Sequence, residues 1–436
     1  MKSAATAVVR TLVEAGFQAV LAGGCVRDML RGVTPKDYDI ATNARPAEVQ
    51  KLFPHSQAVG AHFGVIIVRQ GPHQFEVATF RRDGTYTDGR RPDSVSFTDA
   101  AEDAKRRDFT VNGLFYDPLK LEILDYVGGR DDLEAKTLRA IGDARARFRE
   151  DHLRLLRAVR FATVLGFTLE EGTWQAVCDL APEVATVSAE RIREELVKIL
   201  LHANRLLGFD LLVESGLMKA VLPEIIALQG CEQPPQWHPE GDVFKHTRVM
   251  LGLLPEKASL PLVLSVLFHD IAKPATSSVD GTGRIRFNGH DKQGAAMTEK
   301  ILRRLKFPND VIAPTVEAVV NHMMFKDVQD MRVSRLKRFM ARPTYEDEME
   351  LHRVDCLGSH GSTANYDFMR AKEAEFASEQ NPLMPKPLLN GHEIMAMGIP
   401  PGPRVGEVLH QVQDLQLEGA LTTTEEARAW VAANAL

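Results

Sequence analysis

At 436 residues the chain exceeds what one hydrophobic core supports, and about two to four domains are expected. Its 53 basic and 59 acidic residues leave a formal charge of −6, which excludes a protein that coats nucleic acid indiscriminately and allows only local basic patches. No run of about 18 apolar residues suits a membrane span, and four scattered cysteines without a Cys-x-x-Cys exclude a disulfide framework and a zinc ribbon. The N-terminal stretch has no signal-peptide core, so the expectation is a cytoplasmic protein.

In chain order, short β-rich segments at 18–22, 38–41, 64–69, 74–80 and 122–126, separated by turn residues, predict strands. From about residue 140 the apolar positions recur at helical spacing instead, as at Leu153, Leu156 and Val159. The pattern is a small α+β head on a helical body. A Pro-rich joint at 233–239 and a second break at 381–387 divide the rest. The domain reading is a head at 1–140, a helical neck and body at 141–235, a further helical domain at 236–375 and a tail at 376–436.

Asp37 and Asp39 carry the chemistry of the head. Alternate residues of a strand share a face, so a strand at 37–39 holds both carboxylates side by side, suited to a metal. Gly23 and Gly24 precede an apolar helix-like stretch and leave backbone N–H groups to grip phosphate oxygens. Together they predict a nucleoside triphosphate held against magnesium, with two ions on the carboxylates serving in-line attack on phosphorus. Glu76, on the strand at 74–80, is a candidate third carboxylate, weighed against an ordinary solvent-facing glutamate. Downstream, Arg106, Arg107 and Asn112 sit beside apolar residues. A helix is predicted to open at Glu150, on which Asp151, Arg154, Arg157 and, less closely, Arg160 share a slowly drifting face. A carboxylate beside a guanidinium suits reading the edge of a base; plain helix salt bridging uses the same spacing.

Gly-Gly-x-Val-Arg-Asp, Asp-x-Asp, Arg-Arg-Asp-Phe-Thr-x-Asn and Glu-Asp-x-x-Arg, in this order across about residues 20–230, resemble the class II tRNA nucleotidyltransferases, the bacterial CCA-adding enzymes and their poly(A) polymerase relatives. The resemblance implies a template-free polymerase that uses CTP and ATP on tRNA, with a mainly antiparallel head sheet and an all-α neck. Carried across, Gly24 and Arg27 hold the triphosphate, and Asp37 and Asp39 are catalytic and bind Mg2+. Arg107, Asp151, Arg154, Arg157 and Arg160 form the nucleotide pocket, with Asp151 and Arg154 selecting C or A over G and U. His152 stands where the family usually has proline. The polar segment at 81–93 resembles the flexible loop of CCA-adding members, which favours full CCA addition over a stop after two Cs.

Beyond the Pro-rich joint, His246, the dyad His269-Asp270 and Asp355 form a spread series on predicted helices, with Lys273 just after the dyad. The dyad ends an apolar helix, where a buried histidine and aspartate without a partner or metal are costly. This segment looks like an all-α HD phosphohydrolase domain, in which these four residues bind a divalent transition metal and Lys273 holds phosphate, with activity toward ends that include 2′,3′-cyclic phosphates. His290 and His322 fall in the order of a second metal's ligands, although either alone reads as a surface histidine. Two other functions compete with CCA addition. One is an A-adding, CC-adding or poly(A) relative; the other is a phosphohydrolase whose degenerate head only binds RNA. The head residues are intact and the tail is not basic, which disfavours the degenerate head and the poly(A) branch. The sequence leaves monomer or homodimer open.

Overall fold

The computed structural model describes residues 1–58, 64–84, 94–378 and 382–435, which divide into two compact units, Met1–Ile226 and Ala227–Leu436. The first unit runs α1 (Lys2–Glu14), β1 (Ala19–Ala22), α2 (Gly24–Leu30), β2 (Asp39–Thr42), α3 (Pro46–Leu52), β3 (Gln57–Ala58), β4 (Val65–Gln70), β5 (His73–Thr79), β6 (Arg81–Asp83), β7 (Val95–Phe97), α4 (Ala100–Lys105), β8 (Phe115–Asp117), β9 (Glu122–Leu124) and α5 (Gly129–Glu134). Among the described residues, seven strands form one sheet in the order β3-β4-β5-β2-β1-β8-β9. Its pairings are antiparallel except that of β2 with β5, as expected for the head.

Both faces of this sheet are covered, which explains why β1 reads as an uninterrupted apolar run. Ala19 and Leu21 pack with Val8, Leu12 and Ile40 on one face, while Val20 and Ala22 pack with Phe80, Ala104 and Phe115 on the other. The first residue of β2 breaks the pattern. Asp39 is exposed and pairs with Ala22, the last residue of β1. The strand was expected to include Asp37; it starts at Asp39 instead. The β1 ladder ends at Ala22 and the chain turns at Gly23 into α2, so Asp37 has no strand to pair with and approaches from the preceding loop.

After β10 (Thr137–Leu138) the unit becomes helical: α6 (Ala144–Glu150), α7 (Leu153–Leu165), then β11 (Thr168–Leu169) parallel to β10, α8 (Glu171–Leu180), α9 (Ala189–Leu200), α10 (Arg205–Glu214), α11 (Leu217–Val221) and α12 (Pro223–Ile226). The helix expected to open at Glu150 is two helices. Asp151 is extended, with φ −146 and ψ 104, and its Oδ1 accepts from the Leu153 N–H at 3.1 Å. Such a side-chain bond offers the backbone an alternative to helix and resets the chain before α7 begins. His152 is held there by Thr186 Oγ1 at 2.8 Å and Glu183 at 2.9 Å.

The second unit contains α13 (Val243–Leu253), α14 (Leu260–Phe268), α15 (Lys273–Thr276), the hairpin β12 (Ser277–Val279) and β13 (Ile285–Phe287), α16 (His290–Arg304), α17 (Asn309–Asn321), α18 (Val333–Met340), α19 (Tyr345–Gly358) and α20 (Ala364–Ser378). The hairpin interrupts the helices and was not anticipated from helical periodicity. Its turn is closed by Asp280, whose Oδ1 accepts from Thr282 N and Arg284 N. The segment expected as a tail folds into α21 (Gly391–Ala396), α22 (Pro403–Leu417) and α23 (Thr424–Asn434) around Leu389, Ile394, Val408, Val412 and Val431.

Candidate active site and metal centre

In the first unit, the Ala22–Asp39 pairing sets the Gly-Gly turn beside the carboxylate by backbone register alone. Gly23 has φ +72, and a Cβ there would stand 2.8 Å from Arg107 Nη1, so a side chain is excluded both by conformation and by the arginine. Desolvation in the cleft, with Glu76 and Asp37 nearby, raises the Asp39 carboxyl to about 6, while Arg107 pulls it down. A carboxyl raised by burial and by two carboxylate neighbours fits a divalent cation, which relieves that repulsion when bound. Glu76 is thus an electrostatic neighbour of Asp39.

A continuous network then joins the head to α7. The Arg27 Nη1 donates to Asn112 Oδ1 at 2.6 Å, Asn112 Nδ2 donates to Asp108 Oδ1 at 3.1 Å, and Arg157 donates to Asp108 Oδ2 at 2.9 and 2.5 Å. Burial alone would raise the Asp108 carboxyl, but Arg157 and Asn112 draw it down to about 2. Arg107 is held by Asp103 at 3.1 and 3.2 Å. Arg154 donates to Glu150 at 2.5 Å and to the Arg147 carbonyl at 2.8 Å; Arg160 pairs with the buried Glu195. The guanidinium groups of Arg27, Arg157 and Arg160 lie 5.4, 5.2 and 3.9 Å from the Phe161 ring centre. A cavity of about 480 Å³ brings Gly24, Arg27, Asp39, Arg107, Asp151 and Arg154 together, with Arg157 and Phe161 also on its wall. Asp151 and Arg154 line it without pairing to each other: the Asp151 carboxylate takes Arg191, and Arg154 takes Glu150.

In the second unit, His246 on α13, His269 and Asp270 after α14, His290 on α16, His322 after α17 and Asp355 on α19 converge. The Nδ1 atoms of His269, His290 and His322 lie 2.9, 2.7 and 2.6 Å from the carbonyls of Val266, Phe287 and Val319, each three residues earlier. His246 Nδ1 lies 2.8 Å from Glu240. Anchoring Nδ1 leaves each Nε2 free to aim inward. His246 Nε2 is 3.0 Å from Asp355, His269 Nε2 is 3.1 Å from Asp270 Oδ2, and the Nε2 atoms of His290 and His322 are 3.1 Å apart, facing Asp270 Oδ1 at 3.5 and 3.9 Å. Both buried ring nitrogens of His246 and the Nε2 of His269 find no hydrogen bond of good geometry, so the His246 contact with Glu240 is one of charge and proximity. Burial opposes charge on His246, yet Asp355 and Glu240 push it up to about 9; burial and neighbouring His269 pull His322 down to about 4. Nitrogen and carboxylate donors so arranged fit a transition-metal dication, with Asp270 offering one oxygen to each of two adjoining donor sets. Lys273 is largely buried, 2.7 Å from Asp270 and 2.6 Å from Gln233 Oε1, and lines the same cavity as the histidines.

Residues 19–139 match the family described as Poly A polymerase head domain, and residues 166–228 that described as probable RNA and SrmB-binding site of polymerase A. The A-adding tRNA nucleotidyltransferase of Deinococcus radiodurans is 35% identical over 95% of this chain and 94% of its own length. This chain belongs to the class II tRNA nucleotidyltransferases. The CCA-adding enzyme of Lactobacillus johnsonii is 31% identical over 98% of this chain and 95% of its own. Among solved structures, the CCA-adding enzyme of Bacillus stearothermophilus in complex with CTP superposes with a TM-score of 0.75 at 26% identity, covering 99% of this chain and 96% of that one.

Against this family frame, the structure gathers the head residues read from the motifs into one cavity, apart from Asp37 and Arg160, which are not among its lining residues. Sequence reading missed the partners that fix them: Asp103, Asp108, Glu195 and Arg191. Asp108 lay in view inside the Arg-Arg-Asp-Phe-Thr motif, and its burial was the missing signal. The arginines crowded between 139 and 160 are largely answered by carboxylates, with Arg139 on Asp132, Arg145 on Asp179 and Arg147 on Glu150. His290 and His322, which read singly as surface histidines, are both buried in the second centre. Of the loop expected at 81–93, residues 85–93 lie outside the described residues.

Proposed function

We propose that the chain adds nucleotides from CTP and ATP to the 3′ end of tRNA without a template, completing CCA. The observation that carries this reading is the single cavity in which a Gly-Gly turn and Arg27, the Asp39 carboxylate and the Asp151/Arg154 pair all meet. Asp37 and Asp39 hold Mg2+, with Glu76 adjacent; when bound, magnesium neutralises the triphosphate and eases ionisation of the attacking hydroxyl. Arg27 and Arg107 receive phosphate oxygens, and the Asp39 carboxylate, raised to about 6, is ionised at neutral pH. Asp151 accepts from the exocyclic amino group that C and A share, while G and U present an oxygen there. The test is extension of tRNA lacking CCA with each NTP singly and together: C and A addition ending after three nucleotides supports the reading. A second reading, A addition alone, is favoured by the Deinococcus relative, whose printed name is A-adding. Extension of tRNA ending in CC, but not of tRNA lacking all three residues, would establish it.

The second centre we read as a metal-dependent phosphohydrolase. Its cavity of about 820 Å³ places His269, Asp270, His290, His322 and Asp355 on one wall. A bound metal acidifies water for attack on phosphorus. The Nε2 atoms of the four histidines and the carboxylates of Asp270 and Asp355 would hold it, and the buried anchors keep those donors aimed inward. Hydrolysis of a 2′,3′-cyclic phosphate, screened over Mn2+, Co2+, Ni2+, Fe2+ and Zn2+, tests this; no turnover with any metal would reduce the unit to a structural or RNA-positioning role. Whether the chain acts as a homodimer is decided by its mass in solution.

A further inference from the structure

We propose that Arg191 is the positioning residue that sets the base-reading carboxylate of Asp151, a proposal that rests on the reading of Asp151 given above. Asp151 lies in the break between α6 and α7, so no helix geometry orients its side chain. Arg191, near the start of α9, does so: its Nη1 donates to Oδ1 at 3.1 Å and its Nη2 to Oδ2 at 2.7 Å. A guanidinium is the side chain whose planar fork can bond both carboxylate oxygens at once and so fix the carboxylate plane. The Leu153 N–H adds a third bond, to Oδ1, at 3.1 Å. Of the roughly four acceptor positions on a carboxylate, about three are then committed and one remains, on Oδ2. Asp151 lines the cavity and Arg191 is not among its lining residues, so the fork braces the carboxylate from behind.

The brace is part of a larger grip. One helical turn beyond Arg191, Glu195 of α9 pairs with Arg160 of α7, so α9 meets the reading helix with a cation at one end and an anion further along. The two pairs tie α9 both to α7 and to the break that precedes it. A carboxylate fixed in plane, with one lone pair left, rewards a donor at one position only and repels an oxygen placed there. Without Arg191 the carboxylate rotates, gains free acceptor positions and loses that demand, while Arg27, Arg107 and the head carboxylates still hold the triphosphate.

The experiment measures kcat and KM for each of the four NTPs on tRNA with the full chain carrying Arg191→Ala, Arg191→Lys or Asp151→Asn, with thermal unfolding recorded alongside. For Arg191→Ala the expected result is a KM rise of about tenfold for CTP and ATP, a change of about 1.4 kcal/mol, with GTP and UTP little altered, so that discrimination falls by that factor. Arg191→Lys keeps the charge but not the fork, so it should recover the melting temperature while recovering little of the discrimination. If Arg191→Ala does not fold, Arg191→Lys alone decides. Discrimination within about twofold of the parent in a folded Arg191 variant overturns the proposal, as does an equal loss for all four nucleotides. If Asp151→Asn also leaves selection unchanged, the base-reading role itself fails; if only Asp151→Asn alters it, the positioning role alone fails.

Discussion

The two sites orient their working groups by different means. In and beside the nucleotide cavity three arginines are fixed by partners distant in sequence, Arg157 by Asp108, 49 positions away, Arg160 by Glu195, 35 away, and Arg27 by Asn112, 85 away, whereas Arg107 and Arg154 take carboxylates four residues away. In the histidine centre, three of four rings are fixed by a carbonyl three residues earlier on the same stretch of chain. Geometry borrowed from afar can be disturbed without touching a single substrate contact. Geometry supplied locally survives until a ligand itself is changed. The first site should therefore be sensitive to its partners, and the second to its donors.

The largest effect expected is on the head carboxylates. Asp39→Ala or Asp37→Ala should lower nucleotide addition by about a thousandfold or more, roughly 4 kcal/mol of barrier, in a tRNA extension assay, with folding intact by circular dichroism. Activity within about tenfold of the parent would remove that residue from the metal-binding set. Next comes the contrast between the units. Asp270→Ala removes the carboxylate that faces three histidines, so it should silence phosphate-ester hydrolysis and reduce bound metal by elemental analysis while CTP and ATP incorporation persists. Loss of both activities would break the division into independent sites.

Glu240 is the exception that sharpens the comparison, because His246 is the one histidine of the centre oriented by a side chain. Glu240→Gln should weaken metal binding by about 10–100-fold in a metal titration, the usual cost of losing such a partner. Unchanged affinity would mean that His246 needs no outside orientation. The smallest effect is in stability. Asp108→Asn leaves the buried half of the Arg157 pair weakened and should cost about 2 kcal/mol in urea unfolding. Its pH dependence has a definite sign. The folded carboxyl is held at about 2, below the value near 3.9 of an unfolded aspartate, so its contribution is full above pH ~4 and disappears as pH falls through about 2. The variant should lack that portion of the acid limb, and an identical acid limb would show that the pair adds nothing.

The sequence displays the residues that meet substrate more readily than those that aim them. Gly24, Arg27, Asp39, Arg107, Asp151, Arg154 and Arg157 stand in ordered motifs, and the fold brings all of them to one cavity. Their partners are single charged residues in ordinary helices, such as Arg191 and Glu195, and only tertiary packing of α9 on α7 shows what they do. Helical spacing suggested that Asp151 and Arg154 form a pair, yet the chain breaks between α6 and α7 and each takes another partner. The histidine dyad was legible because it closes an apolar helix. His290 and His322 were not, since a histidine's burial depends on neighbours remote in sequence. Strand pairing likewise decides that Asp37 lies before β2, because alternation within the segment cannot tell where its partner ends.

That ladder end also governs where the chain can grow. Ala22 faces Asp39 in the last rung between β1 and β2, and the phosphate-gripping turn follows at once. One residue added within β1 would send its side chains to the opposite faces of the sheet and shift the turn away from the carboxylate. Residues 31–34, exposed between α2 and β2, carry no such constraint. Length changes between the two halves of the triphosphate and metal site are therefore absorbed after α2, while the span from β1 through the Gly-Gly turn keeps a fixed count.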